Sequence, residues 1–302
     1  MPVFNEAGSL REMHQRLRNV LDEVGESYEL IFVDDGSQDG SLDTLLQLRE
    51  ADQRVKVVEL SRNFGHQAAL SAGIEAADGE AIITMDADLQ HPPELIPELL
   101  DAWRRGGADI VSTSRRSTPD VNLWKRTTSR FFYGVMNALS DVEVRPGAAD
   151  FRLIDRRAAD VLTRLGEQAV FLRGLTSWIG FRQAFVEYDA APRFAGESKF
   201  SSVRMMRFAI DGITSFSSIP LYASVYIGFA VSLAAFIYGL FAVYARLFTD
   251  STIEGWTSVI AVLLFLGGMH MILSGIQGAY IARIYNEVKQ RPRYVVRATH
   301  GL

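Results

Sequence analysis

The chain has 302 residues, a formal net charge of −5 and no cysteine. Its length suits one large domain with an appendage, and its acidic balance argues against a general nucleic-acid binder, whose signature is a basic excess. A chain without cysteine has neither disulfides nor thiolate metal sites.

The first third of the chain alternates helix and strand patterns. Apolar residues form a helical stripe over 10–24, and a strand is predicted at 28–33. The elements that follow are a helix at 41–51, a strand at 55–60, a helix at 67–77, a strand at 81–85, a helix at 92–105 and a strand at 109–113. This alternation predicts an α/β fold with a mostly parallel sheet, helices on both faces and ligands at the carboxyl ends of the strands.

Two of these strands end in paired carboxylates. Asp34 and Asp35 follow the strand at 28–33, and Asp86 and Asp88 follow the strand at 81–85. Carboxylates at the mouth of a buried sheet suit a hard cation held against nucleotide phosphates, and oxygen ligands select Mg²⁺ or Mn²⁺. We therefore predict a metal site at Asp86 and Asp88. Gln90 is near enough to join it or to touch a sugar, and Asp86 could instead reach the nucleotide ribose.

Two histidines lie close to these motifs. His66 follows a loop motif, and His91 precedes two prolines. For this reason neither is expected to form a second metal site.

The last third of the chain is apolar. No charged residue occurs at 219–245 or 256–282, and each stretch exceeds the roughly 20 residues that a hydrocarbon core of about 30 Å requires. We predict two transmembrane helices within a segment at 218–284. Small residues within them indicate close helix packing and a homo-oligomer. These are Gly267, Gly268, Ser274, Gly275 and Gly278.

Charges flanking the two spans predict their orientation. Basic residues are concentrated on both flanks, whereas the connecting loop carries Asp250 and Glu254 against Arg246. The positive-inside rule then puts the catalytic part and both termini on the cytoplasmic side of the inner membrane.

The segment at 198–217 has the pattern of an interfacial helix. Its apolar residues fall on one helical face, with Lys199, Arg204 and Arg207 beside it. Such a helix lies in the membrane plane with its basic side chains snorkelling; a core helix is the alternative. The predicted organisation is a catalytic domain at 1–197, this helix, the hairpin at 218–284 and a cytoplasmic tail at 285–302.

Six short motifs carry a family resemblance. They are Pro2-Val3-Phe4-Asn5-Glu6, Asp34-Asp35-Gly36-Ser37, Arg62-Asn63-Phe64-Gly65, Asp86-Ala87-Asp88-Leu89-Gln90, Asp150-Phe151-Arg152-Leu153 and Gly196-Glu197-Ser198-Lys199. In these the chain resembles the polyprenyl-phosphate branch of the family 2 glycosyltransferases, which includes dolichol-phosphate mannose synthase and undecaprenyl-phosphate glucosyltransferases. The resemblance implies a GT-A type (Rossmann-like) domain and an enzyme that transfers a sugar from a nucleotide diphosphate to a lipid phosphate.

The resemblance also implies roles for individual residues. Pro2, Phe4 and Glu6, with Asp34 or Asp35, would cradle the base and ribose, and Asp88 and Asp150 would be catalytic. Four basic residues would contact the lipid phosphate or the diphosphate: Arg115, Arg126, Arg193 and Lys199. Arg116 and Arg130 are alternatives for the arginines of the lipid phosphate.

The acceptor decides what Asp150 has to do. A phosphate monoester with a second pKa of about 6 is mostly dianionic at about pH 7 and needs no base. Asp150 is therefore expected to orient the sugar or the phosphate. A single displacement inverts the anomeric centre, and no motif indicates a covalent intermediate. UDP-glucose and undecaprenyl phosphate are the expected substrates, with GDP-mannose and a UDP-linked modified arabinose as alternative donors.

The N-terminus departs from the family pattern, in which a full apolar strand precedes the first motif. Here only Met1 precedes Pro2. We expect that an N-terminal segment was lost and that a version with the strand restored is more stable.

Three other functions are compatible with part of the sequence. A processive polysaccharide synthase carries Gln-x-x-Arg-Trp, but here Arg173 is followed by Gly174. A non-catalytic membrane scaffold is disfavoured by the intact acidic motifs. A soluble transferase acting on hydroxyl groups is disfavoured by the two spans.

Overall fold

A computed structural model of the chain describes residues 1–115, 148–167, 172–188, 217–248 and 255–302. The chain divides into two compact units. The first contains the described residues up to 188 together with 291–302, and the second contains the remaining described residues, 217–248 and 255–290.

The first unit alternates strands and helices, as predicted. Its strands are β1 (Pro2–Val3), β2 (Leu30–Asp34), β3 (Val55–Leu60), β4 (Ala81–Thr84), β5 (Ile110–Arg115), β6 (Ala148–Asp155), β7 (Gln183–Tyr188) and β8 (Val296–His300). Its helices are α1 (Leu10–Val24), α2 (Ser41–Ala51), α3 (His66–Glu75), α4 (Ile96–Gly106), α5 (Arg156–Arg164) and α6 (Leu172–Trp178), with a 3₁₀ turn at Pro93–Leu95.

The strands form two mixed sheets. One has the order β1-β2-β3-β8, in which β8 is antiparallel to β3 and the other neighbours are parallel. The other has the order β4-β6-β5-β7, in which β6 is antiparallel to both β4 and β5, and β7 is parallel to β5. The predicted α/β class is confirmed, but the sheets are mixed because β6 and β8 run against their neighbours.

Helices cover both faces of the first sheet, as β2 illustrates. Leu30 and Phe32 pack into a core that includes Leu10 and Leu17 of α1 and Leu45 of α2. The residues that alternate with them, Ile31 and Val33, pack into a second core with Ala69 and Ala72 of α3. Because successive side chains of a strand point to opposite faces, a strand buried on both sides has a continuous apolar sequence.

Strand β1 has two residues, which pair with Val33 and Asp34 of β2. A cavity of about 470 Å³ is lined by residues of β2 and β4, by Met1, and by residues of α1, α3 and α4. The greater stability expected of a version with a longer first strand stays a prediction.

The second unit contains two long helices, α7 (Ile219–Phe248) and α8 (Trp256–Val288). Within them, Ile219–Ala242 and Val259–Val288 are long and apolar enough to cross a membrane, with mean hydropathy of 2.0 and 2.2. The Tyr280 hydroxyl donates a hydrogen bond to the Ser217 carbonyl at 2.7 Å. The two predicted spans therefore coincide with two helices.

The segment at 285–302, predicted as a tail, differs from that expectation. Helix α8 continues to Val288, and β8 then pairs with β3, with His300 opposite Val57 and Ala298 opposite Glu59. Tyr294 packs against the second core and donates a hydrogen bond to Glu75 of α3. The end of the chain is thus part of the first unit. The predicted interfacial helix at 198–217 lies outside the described residues except for Ser217.

Candidate active site

The loops that follow β1 and β2 are joined by side-chain hydrogen bonds. The Asn5 N–H donates to Ser37 Oγ at 3.1 Å, and the Gln38 N–H donates to Asn5 Oδ1 at 2.8 Å. Gly36 has a φ of +72°, and a Cβ there would lie 2.7 Å from the backbone carbon of Arg62. The first two motifs and the Arg62-Asn63-Phe64-Gly65 motif therefore form one surface, which requires glycine at position 36.

Asp34 and Asp35 are each 2% exposed but have different partners. Asp35 accepts hydrogen bonds from the N–H groups of Phe64 and Gly65, at 2.7 and 2.9 Å. Burial raises the pKa of Asp35, although these two donors oppose the rise. Asp34 Oδ2 accepts from the Ser37 N–H at 3.2 Å, whereas its buried Oδ1 has no hydrogen-bond partner among the described residues. Asp34 Oδ1 could therefore accept a hydrogen bond from a ligand, whereas both oxygens of Asp35 accept hydrogen bonds from the loop at Phe64 and Gly65.

The acidic loop after β4 is attached to the first motif. Ser9 Oγ donates to the Ala87 carbonyl at 2.8 Å, and the Gln90 N–H donates to Asp88 Oδ1 at 3.0 Å. Burial raises the pKa of Glu6, and the Asp88 carboxylate adds to the rise. Glu6 and Asp88 therefore belong to one negatively charged region.

Asp86 completes this region. Burial raises its pKa, and its neighbours Asp150 and Asp88 add repulsion that His66 and His91 oppose. Its Oδ1 is buried and has no hydrogen-bond partner among the described residues; it faces His66 Nε2 at 3.4 Å. A buried carboxylate oxygen without a donor is costly unless a ligand compensates it.

These residues fit a hard divalent cation. The described part of the chain contains no group of three or more acidic or histidine side chains arranged to hold a metal ion. Magnesium, however, is commonly bound through one or two carboxylates together with substrate phosphates and water. Asp86 and Asp88 thus suit a cation whose shell a nucleotide diphosphate completes.

Asp150 lies buried on β6 between two arginines. Arg173 donates to both of its oxygens, from Nε to Oδ1 and from Nη2 to Oδ2, each at 3.0 Å. Arg152, which is 3% exposed, donates from Nη2 to Oδ1 at 3.0 Å. Burial opposes ionisation, but the contact with His66 and the charges of Arg173 and Arg152 outweigh it and hold the pKa of Asp150 well below its usual range. These partners favour the ionised form of Asp150 and make it a poor proton acceptor.

The structure also brings in residues to which the sequence analysis gave no role in the site. His66 Nε2 lies 3.4 Å from both Asp86 Oδ1 and Asp150 Oδ2. Burial opposes protonation of His66, but the two carboxylates outweigh it and raise its pKa. Its position directly after the Arg62–Gly65 motif is the sequence feature that could have indicated a role for His66 in the site.

His91 and Arg173 are the other additions. His91 Nδ1 accepts a hydrogen bond from the Asp86 N–H at 3.2 Å, and its ring stacks on Phe151 with centroids 5.5 Å apart. Arg173 lies on α6 and donates to Asp150 from there. No sequence pattern connects this helix with the site.

The remaining predicted residues are placed as follows. Phe4 directly follows β1, and its side chain is 46% exposed. Arg115 ends β5, where its backbone pairs with Tyr188, but its side chain lies outside the described part. Three other predicted phosphate ligands also lie outside the described residues: Arg126, Arg193 and Lys199.

Comparisons with known proteins extend over the whole chain. Residues 1–175 match the family described as Glycosyl transferase family 2. The chain is 43% identical to "Uncharacterized glycosyltransferase YkcC" of Bacillus subtilis, over 100% of this chain and 93% of that protein. It is 37% identical to "SfII prophage-derived bactoprenol glucosyl transferase" of Shigella flexneri, over 99% of this chain and 97% of that protein. These alignments include both long helices.

A solved structure is also similar. It is a mannosyltransferase, PcManGT from Pyrobaculum calidifontis, in complex with GDP-Man and Mn²⁺. The TM-score is 0.49 at 15% identity, over 95% of this chain and 85% of that one.

Proposed function

Because the chain belongs to glycosyl transferase family 2, we propose that it transfers glucose from UDP-glucose to undecaprenyl phosphate, with inversion, at the cytoplasmic face of the inner membrane. The observation that carries the proposal is the pair Asp86 and Asp88 at the end of β4, in a chain that also has two apolar helices of membrane-spanning length. The name of the Shigella flexneri relative, bactoprenol glucosyl transferase, supports the same acceptor class and sugar.

The donor would bind over the ends of β1, β2 and β4. The exposed ring of Phe4 suits packing against a nucleobase, next to Pro2. The unpaired Asp34 Oδ1 would accept a hydrogen bond from the nucleoside, with Glu6 beside it. Asp35 would hold this pocket in shape through Phe64 and Gly65.

Asp86 and Asp88 would hold Mg²⁺ or Mn²⁺, with Gln90 in reach. When bound, the cation supplies Lewis-acid stabilisation of the leaving diphosphate. Burial raises the pKa of Asp86, and the charges of Asp150 and Asp88 add to the rise; a bound cation would offset both effects.

Asp150 would act as a fixed negative charge. Its ion pairs with Arg152 and Arg173 keep it ionised and oriented. A carboxylate in this state can accept hydrogen bonds from sugar hydroxyls and stabilise positive charge that develops on the sugar. The acceptor phosphate needs no base, since it is mostly dianionic at about pH 7. We assign Arg115, Arg126, Arg193 and Lys199 to the phosphates, because arginine suits bidentate phosphate binding and lysine binds phosphate as a point charge.

The reaction is tested with purified protein in detergent, Mn²⁺ or Mg²⁺, undecaprenyl phosphate and labelled UDP-glucose, GDP-mannose and a UDP-linked arabinose derivative. We expect glucose label in the organic phase, lost in Asp88→Ala. The matched control is Asp78→Ala, whose side chain is 90% exposed and which should retain activity. If no donor labels the lipid, the proposed function is wrong; labelling from another donor would correct the sugar alone.

The proposed topology has its own test, because the chain has no cysteine. Single substitutions Asp78→Cys and Thr252→Cys are probed in whole cells with a membrane-impermeant maleimide. Labelling is expected at Thr252→Cys in intact cells and at Asp78→Cys only after permeabilisation. The reverse pattern would contradict a cytoplasmic catalytic domain.

The two long helices, α7 and α8, are proposed to pack against those of other subunits in a homo-oligomer. Cross-linking of the protein in native membranes should trap species larger than the monomer.

A further inference from the structure

The first turn of α3 begins at a fixed point beside the carboxylates. Gly65, which precedes the helix, has a φ of +100°, a conformation that favours glycine. The Phe64 and Gly65 N–H groups are both held by Asp35. The start of α3 is therefore tied to the end of β2, and His66 is its first residue.

From this position His66 reaches two other strands. Its Nε2 lies 3.4 Å from Asp86 Oδ1, after β4, and 3.4 Å from Asp150 Oδ2, on β6. Both distances exceed the 2.7–3.2 Å that is usual for an N–H···O bond, as expected where one nitrogen faces two acceptors. Repulsion would separate the two neighbouring carboxylates, and a nitrogen that faces both opposes that separation.

Gln67 secures the same arrangement from the next position. Its Nε2 donates to Asp150 Oδ2 at 3.5 Å, and its Oε1 accepts from the Leu172 N–H at 3.2 Å. Leu172 begins α6, the helix that carries Arg173. The first turn of α3 thus contacts the ends of β2, β4, β6 and α6.

We propose that His66 is a positioning residue that holds the Asp86 carboxylate in a fixed position relative to the Asp150 carboxylate. The inference rests on the proposed function, in which Asp86 holds the cation and Asp150 faces the sugar. His66 acts through these two carboxylates. The Arg62–Gly65 motif then has a role as well, because it fixes the start of α3, from which His66 reaches Asp86 and Asp150.

The test compares three variants. His66→Phe keeps a ring but removes the nitrogen, and His66→Gln keeps an N–H donor. His14→Gln is the matched control, because His14 Nε2 also lies close to a carboxylate oxygen, 3.3 Å from Asp52 Oδ2, away from the site. The readouts are kcat and donor KM at saturating Mn²⁺, the Mn²⁺ affinity of the UDP complex by electron paramagnetic resonance, and Tm.

We expect His66→Phe to lower kcat about 10- to 100-fold, the usual effect of losing a residue that orients a metal ligand, with donor KM nearly unchanged. Its Mn²⁺ affinity should fall about tenfold, and His66→Gln should recover part of both losses. His14→Gln should lower Tm only. In an Asp150→Asn background, the effect of His66→Phe on kcat should shrink, because the two residues act together.

The proposal is overturned if His66→Phe lowers Tm but leaves kcat and Mn²⁺ affinity unchanged, or if its effect on kcat is the same with Asp150→Asn. Failure of the proposed function looks different, since the wild-type protein would then label no lipid. In that case the Mn²⁺ affinities of His66→Phe and His66→Gln, measured without turnover, still decide whether His66 positions Asp86.

Discussion

Replacing Asp150 with asparagine separates an orienting carboxylate from a general base. The change removes the carboxylate that buried Arg152 and the partly exposed Arg173 share. Removing one member of a buried ion pair costs about 3–5 kcal/mol. Because Arg173 is about a third exposed, its share is screened by solvent, and we expect the lower end, about 3 kcal/mol. For a unit of this size the loss lowers Tm by roughly 6–12 °C.

The pH dependence follows from the direction of the pKa shift. The pKa of Asp150 is depressed in the folded state, so its stabilising contribution is complete above the unfolded value of about 3.9 and is lost only as the pH falls through the folded value. Asp150 therefore does not titrate near neutral pH. Any acid limb in the rate there belongs to another group, and the acceptor phosphate has a suitable pKa of about 6.

The assay measures kcat for the wild type and Asp150→Asn, from well below to well above the pKa of the acceptor phosphate. We expect the variant to be slower at every pH but to keep the wild-type acid limb at the same position. Asp109→Asn is the control, because Asp109 is also buried and pairs with Arg157 at 2.8 Å. It should lower Tm without changing the pH profile. Loss of the acid limb in Asp150→Asn alone would refute the reasoning and identify Asp150 as the base.

Three other substitutions test the site and its support. Asp86 has a raised pKa, so its charge destabilises the folded state at higher pH. Asp86→Asn should therefore raise stability by about 0.5–2 kcal/mol. It should also abolish transfer and remove the rise of Tm with Mn²⁺ that we expect of the wild type. Gly36→Ala should cost more than the about 1–2 kcal/mol of a left-handed residue, because its Cβ would meet the Arg62 backbone at 2.7 Å. Gly40→Ala, with positive φ but open space, should cost only that strain, and equal losses by denaturant titration would contradict the steric argument. Tyr294→Ala should lose about 2 kcal/mol of unfolding free energy from the core at α3, whereas Tyr294→Phe should lose about 1 kcal/mol with its hydrogen bond to Glu75. A tail that contributes nothing to the fold would leave Tm unchanged in both.

The acidic strand ends could be predicted because their signal is local. The strand predicted at 28–33 is observed as β2, Leu30–Asp34, and the strand predicted at 81–85 differs from β4 by one residue. A strand buried on both faces must be apolar throughout, and the first polar residues after it mark its end. The helix predicted at 67–77 is observed at His66–Glu75. That shift matters, because it turns His66 from a loop residue into the first residue of a helix.

Pairings between distant segments could not be predicted, because periodicity reports burial and not the partner. Strand β8 pairs with β3, although most of the chain lies between the two strands in sequence. The sequence of β8 contains no apolar run that would predict a strand. Arg173 and Asp150 are likewise brought together by the packing of α6 beside β6. The antiparallel direction of β6 has the same origin, since a run of apolar residues has no direction.

The state of each carboxylate indicates where a ligand is required. Asp35 and Asp150 have donors on both oxygens, so the fold itself balances their burial. Asp34 and Asp86 each keep a buried oxygen without a hydrogen bond among the described residues. Since such an oxygen costs free energy until a donor or a cation reaches it, these two positions gain the most from binding. A nucleoside donor at Asp34 and a divalent cation at Asp86 would each relieve this cost, at two separate points of the site.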